Sequence, residues 1–115
     1  MSADGSWTVE LTHTGRKSGK EFTLEVWCVD LDGDATRWIG SRDASRAWVR
    51  NLRASGRARL DFGEGAREFR VEERTATDQQ RFDRAILRAR PIAGRWIRFL
   101  TRGGTPCCFR LTPAD

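Results

Sequence analysis

Residues 7 to 28 read Trp7-Thr-Val-Glu-Leu-Thr-His-Thr-Gly-Arg-Lys-Ser-Gly-Lys-Glu-Phe-Thr-Leu-Glu-Val-Trp-Cys28. Trp7, Val9 and Leu11 alternate with polar residues, and the alternation resumes at Phe22, Leu24, Val26 and Cys28. A period of two is the mark of a half-buried strand. Between the runs, Gly15-Arg-Lys-Ser-Gly19 breaks the pattern with two glycines, so the stretch predicts an antiparallel hairpin. Outward from it, Asp32-Gly33-Asp34 is a tight turn, and Ala35 to Ser41, carrying Trp38 and Ile39, is a third strand returning antiparallel to the second.

After Ser41 the period changes. Ala44, Ala47, Trp48 and Leu52 fall near helical spacing, with Asp43 as the expected N-cap and Gly56 just past the end. Arg57 to Phe62 alternates again, Gly63-Glu-Gly65 turns, and Phe69 and Val71 mark a partner strand. Thr77-Asp-Gln-Gln80 has the form of a capping box ahead of the apolar face Phe82, Ala85, Ile86, Ala89, a helix that must stop before Pro91. Residues 92 to 100 fit helix or strand equally, and Thr105 to Thr112 is a last strand. Six hairpin-linked strands with two or three helices predict a mainly β, α+β fold: a small antiparallel barrel with helices over its openings.

At 115 residues the chain has room for one domain spanning 1–115, and five Trp with six Phe argue for a packed core rather than disorder. No apolar run reaches the roughly 18 residues of a membrane span, and Met1-Ser-Ala-Asp-Gly-Ser6 lacks a signal pattern, so a soluble cytoplasmic domain is expected. The net charge is +5, and of 21 basic residues only Lys17 and Lys20 are lysine. Arginine suits anionic partners, but here it is scattered through every element, as a chain-wide preference would scatter it. Nucleic-acid binding would rest on basicity alone. The Arg81, Arg84, Arg88 stripe is what a solvated helix face looks like. Cys107 and Cys108 are neighbours in a strand and point to opposite faces, and the single histidine, His13, reads as a strand-end residue beside a turn; no metal site is expected.

Gly15-Arg-Lys-Ser-Gly-Lys20 resembles a phosphate loop only superficially, because three residues separate the glycines and both flanks are strands. It is either an exposed hairpin turn or an anion-binding nest to which Arg16, Lys17 and Ser18 add donors. Ser41-Arg42 ends the third strand just ahead of a helix, a second place for an anion. Antiparallel order should put both bends at one end of the sheet, where they could grip one phosphorylated ligand; an acidic side chain between them would argue against it. Trp48 and Asn51 lie on one helical face and offer a stacking surface and an amide, with Trp48 equally at home in the core.

The sequence Leu11-Thr-His-Thr-Gly-Arg-Lys-Ser-Gly19, then an alternating strand, Asp32-Gly33, Ser41-Arg42 and Ala47-Trp-Val-Arg-Asn-Leu-Arg-Ala54, resembles the deazaflavin-dependent nitroreductase family, split-barrel proteins related to FMN-binding oxidases. The resemblance is strong over residues 9 to 63, about half the chain. It implies a split β-barrel holding a deazaflavin, coenzyme F-420, or alternatively FMN. Cofactor-binding positions would be Arg16, Lys17, Ser18 and Gly19 for the tail, with Arg42, Trp48 and Asn51 nearer the ring and Ser41 as the catalytic position beside it. The implied activity is hydride transfer to a small electron-poor molecule, a quinone or nitro compound. Where relatives carry a glycine pair and a proline, this chain has Asp43-Ala44 and Arg46, and it has no tyrosine. Those departures imply either a site completed by a second chain in a homodimer, or a non-catalytic binding module that has lost the redox cofactor.

Overall fold

The computed structural model describes residues 6–33, 35–100 and 104–114. Its elements are β1 (Ser6–Thr14), β2 (Glu21–Val29), β3 (Arg37–Ser41), α1 (Ala47–Ser55), β4 (Arg57–Asp61), β5 (Ala66–Glu73), α2 (Ala76–Ala89), α3 (Pro91–Leu100) and β6 (Cys107–Pro113). The six strands close into a barrel in the order β1-β2-β3-β6-β5-β4, every pair antiparallel. The expected six-stranded antiparallel barrel with helices is therefore what the chain forms. Residues 92 to 100, ambiguous in sequence, are helical. The side chains of Trp7 and Phe99, whose burial the pattern addresses, and all of Asp34 lie outside the described residues.

Alternate residues of each strand fill the barrel: Val9 and Leu11, Val26 and Cys28, Ile39, Leu60, Phe69, Phe109 and Leu111. Val49 and Leu52 join the same cluster fully buried, so α1 is seated on the barrel core. Gly56 ends that helix at φ +67°, its N–H donating to Leu52 O at 2.8 Å, a left-handed cap that suits glycine. On the outer face Val29, Trp38 and Cys108 pack against Phe82, Ala85 and Ile86 of α2. The neighbours Cys107 and Cys108 thus point to opposite sides, one into each cluster. Burial pushes the thiols of Cys28 and Cys108 up to about 12, which keeps them protonated and unreactive.

Two caps differ from expectation. Asp43 does not cap α1, which starts at Ala47; its Oδ1 instead accepts from the N–H and hydroxyl of Ser45 at 2.9 and 2.6 Å, closing a local turn. Thr77 lies inside α2, whose N-cap is Thr75 without a side-chain bond, and Gln79 and Asp78 of the first turn are drawn to Asp83 and Arg74.

Candidate functional site

β2 is registered with β1 along its whole length, from Thr14 opposite Glu21 to Ser6 opposite Val29, but with β3 only at Cys28–Ile39 and Val29–Trp38. Beyond Ile39 the chain has Gly40, over which the Phe82 ring closes. A Cβ there would stand 2.6 Å from Phe82 Cε2 and 2.9 Å from the Cys107 carbonyl oxygen. Ser41 then turns the chain: its hydroxyl donates to Asp43 O at 2.9 Å and accepts from Asp43 N–H at 3.1 Å. Where β2 and the 41–46 segment part, they leave a cleft of about 580 Å³. That is within the usual size for a small-molecule site.

Leu24, Val26 and Trp27 of β2, Trp48 of α1, and Phe82 and Ile86 of α2 give the cleft apolar walls, while its polar lining includes the cations Arg42 and Arg46 and the carboxylates Glu25, Asp43 and Asp83, with Ser41 and Gln79 among them. Asp83 organises that part. Its carboxylate accepts from Arg42 Nη1 at 3.1 Å and from Gln79 Nε2 at 3.0 Å. Arg42 Nε and Gln79 Oε1 are buried with no partner among the described residues. A buried donor or acceptor left unpaired costs about 1–3 kcal/mol, so this cluster of polar groups is held at a cost in stability. Asp83 also offsets the charge of Arg42, which leaves Arg46 as the exposed cation of this end.

The Gly15–Gly19 turn is separately built. Gly15 N–H donates to Lys20 O at 2.7 Å and Gly19 N–H to Gly15 O at 2.9 Å, with Gly19 at φ +73°. The Ser18 hydroxyl accepts from Lys20 N–H at 3.2 Å. Arg16 points back to α1, its backbone N–H and its Nη1 both donating to Asn51 Oδ1, at 3.1 and 2.9 Å. Asn51 Nδ2 therefore faces His13 Nδ1, 3.0 Å away, and His13 must be the neutral tautomer carrying its proton on Nε2. Burial lowers the pKa of His13 in agreement, and its ring stacks on Phe22 with centroids 5.6 Å apart. The ammonium groups of Lys17 and Lys20 make no ion pair within the described residues, and both side chains are exposed.

Of the candidate residues, Ser41, Arg42 and Trp48 line the cleft, whereas Arg16, Lys17, Ser18 and Gly19 do not. Continuing the β2–β3 register puts Ser41 level with Val26, five residues short of Glu21 where the turn rejoins β2. α1 spans the interval: Trp48 lies at the cleft and Asn51, three residues on and on the same helical face, holds the turn. Trp48 is half-buried, its ring centroid 6.4 Å from that of Phe109, and it also forms a wall of the cleft. The acidic residue beside Arg42 is Asp83, which sequence reasoning missed together with Gln79. Their spacing of four on α2 was legible as a helical pair, but their meeting with Arg42, 41 residues from Asp83, was not.

No protein-family description and no curated protein matches the sequence. Solved structures do. An F-420-H2 dependent reductase aligns over 90% of this chain and 92% of its own, at 20% identity and a TM-score of 0.66. A FAD-binding protein from Mesorhizobium loti aligns over 95% of this chain and 82% of its own, at 15% identity and 0.64. A domain-swapped dimer aligns over 90% of this chain and 78% of its own, at 18% identity and 0.68. At such identities what is shared is the fold: this chain is a split β-barrel. Among the described residues no helix is long and apolar enough to cross a membrane.

Proposed function

We propose that the protein is a cytoplasmic deazaflavin- or FMN-dependent reductase of the deazaflavin-dependent nitroreductase type, acting on a small electron-poor quinone or nitro compound. One observation carries the reading: a single face of α1 takes Trp48 to an apolar-walled cleft and Asn51 to a basic glycine turn. That is the arrangement a flat ring with a phosphate-bearing tail needs. The residues present fit such a group, because the cleft joins aromatic and apolar walls to a polar lining. The solved neighbours that bind a flavin or depend on F-420 lend the fold-level support.

In this reading Trp48, Leu24, Val26 and Phe82 enclose the ring and exclude water, while Lys17, Lys20 and the Ser18 turn hold the tail. Ser41 borders the ring, though its hydroxyl is tied to the Asp43 backbone, so it positions and does not relay a proton. The cofactor, when bound, supplies the hydride; no ionisable side chain is required for that step. Fluorescence titration with FMN and with reduced deazaflavin is the test. Saturable quenching is expected, weakened in Trp48→Ala and in Lys17→Ala/Lys20→Ala; no response to either cofactor overturns the assignment. The Arg42–Asp83 pair, which cancels one of the expected cations, favours a second reading, a non-catalytic split-barrel binding module. Cofactor-dependent turnover of a quinone or nitroarene would exclude that module.

A homodimer is part of the proposal. Ile92 and Trp96 on α3 are 74% and 61% exposed, and one neighbour of the same fold is a domain-swapped dimer. Light scattering should return twice the 13.1 kDa of the chain.

A further inference from the structure

His13, Asn51 and Arg16 form a chain of hydrogen bonds with a defined sense. Arg16 offers Asn51 only donors, its backbone N–H at 3.1 Å and its Nη1 at 2.9 Å, so Asn51 must turn Oδ1 toward them. That leaves Nδ2 to face His13 Nδ1 at 3.0 Å, where the imidazole accepts only while it is neutral. An imidazolium has two N–H donors and no acceptor, whichever nitrogen it presents. Asn51 meets it only by turning over, which sets Nδ2 against the Arg16 donors. Asn51 and His13 are 4% and 6% exposed, so bulk water does not absorb the mismatch, whereas Arg16 lies at the surface. The groups facing the ring are Phe22 of β2 and Asn51 of α1, and neither is charged. Glu21 of β2 is paired with Arg59 of β4, and Arg53 of α1 with Glu73 of β5, while Lys17, Lys20 and Arg50 stand at the surface. Burial, with no neighbouring charge, displaces His13 below its ordinary 6.5.

We propose that His13, acting through Asn51, is a positioning residue of the basic turn and places it under proton control. Neutral His13 keeps Arg16 tied back on Asn51, and a proton on His13 releases the Arg16 N–H and guanidinium to an oxyanion seated at the turn. At high pH the turn offers such an anion Lys17 and Lys20; at low pH it adds the two Arg16 donors. Protonation and anion binding then favour one another. By linkage the anion raises the proton affinity of His13 by the same factor as the proton raises anion affinity, ordinarily about fivefold or more for coupled sites. The inference rests on the reading of the turn as the place for a phosphate-bearing tail, and adds to it a donor pair that engages only when His13 is charged.

His13 is the only histidine of the chain, so its ring-proton NMR resonance reports it alone. The full chain is titrated from about pH 8 to about pH 5 at fixed ionic strength, following that resonance and the Arg16 amide. It is titrated first alone, then with sulfate, FMN or riboflavin. The two signals should share one midpoint. Sulfate and FMN should raise it by about 0.7 or more on the pH scale, the equivalent of fivefold coupling, and riboflavin, which has no phosphate, should not. In His13→Gln, which keeps an acceptor toward Asn51, the Arg16 amide should stay fixed throughout. An Arg16 amide that stays fixed while the native His13 titrates overturns the relay. So does one that moves together with every amide of the β1–β2 hairpin, since that is unfolding, and so does a His13 still neutral at about pH 5 in sulfate. A midpoint indifferent to both sulfate and FMN overturns the use of Arg16 for an anion; one moved by sulfate and not by bound FMN gives the turn to free oxyanions and takes the tail away from it. Ring fluorescence tests the cofactor assignment separately, so each of these failures leaves that assignment standing.

Discussion

Along one edge β2 is bonded to β1 from Glu21 to Val29, while along the other it meets β3 only at Cys28 and Val29. The first edge ends in a turn whose polar groups are satisfied: Arg16 on Asn51, Asn51 on His13, Ser18 on the Lys20 amide. The second opens into a cleft where Arg42 Nε and Gln79 Oε1 are left without partners. A completed hydrogen-bond network rigidifies its surroundings, and each buried group left unpaired weakens them. The contrast separates scaffold from site within a single strand: the long ladder fixes where β2 runs, and the early end of the short ladder makes room beside it.

The comparison breaks most visibly at Phe82, which joins α2 to the barrel and roofs the cleft while only 7% exposed. Phe82→Ala should cost about 3–5 kcal/mol in urea denaturation and abolish ring binding, whereas the β1–β2 hairpin amides should keep their hydrogen-exchange protection. A loss under about 1 kcal/mol would mean that α2 is docked by other contacts. Gly40→Ala attacks the same junction from beneath. With Phe82 Cε2 at 2.6 Å and a backbone carbonyl at 2.9 Å from the new methyl, it should cost about 1–3 kcal/mol and shift the cleft wall. Unchanged stability would show that the ring has room to retreat. On the scaffold side, Asn51→Ala strands His13 Nδ1 but leaves the exposed Arg16 to water, so a smaller cost of about 1–2 kcal/mol is expected. Its sharper sign is loss of protection of the Arg16 amide in hydrogen exchange. Protection that persists would place the turn's rigidity elsewhere.

The barrel was legible because its strands alternate cleanly and each turn carries its own glycines, as at Gly15, Gly19, Gly63 and Gly65. The helix caps were less so: Asp43 has the right residue type in the right neighbourhood, yet Ser45 offers it two donors and the helix begins beyond both. Of the site, Ser41, Arg42 and Trp48 could be read from the sequence because they sit at a change of period. Gln79, Asp83 and the contact of Asn51 with His13 could not, since each depends on a fold that brings together residues 35 or more positions apart. Periodicity gives the face of an element and says nothing of what lies across from it.

The smallest effect concerns protons and tests whether the scaffold side is as closed as its hydrogen bonds imply. Desolvation lowers the pKa of His13 from its ordinary 6.5, so the unfolded chain takes up a proton at a pH where the folded one does not. The stability from neutral His13 is therefore present above about pH 6.5 and declines as the pH falls toward the depressed folded value. A proton on Nδ1 would also set two donors face to face, His13 against Asn51 Nδ2. Hydrogen bonds from Ser45 hold Asp43, and from Arg74 hold Asp78, below the ordinary 3.8, so those carboxylates act only in stronger acid and leave the window clear. His13→Gln keeps an acceptor toward Asn51 without a titrating group. Denaturation from about pH 8 to about pH 5 should show a falling midpoint for the native chain and a flatter one for the variant. Parallel curves would mean that water reaches His13, and that the hairpin end is open in the way the cleft is.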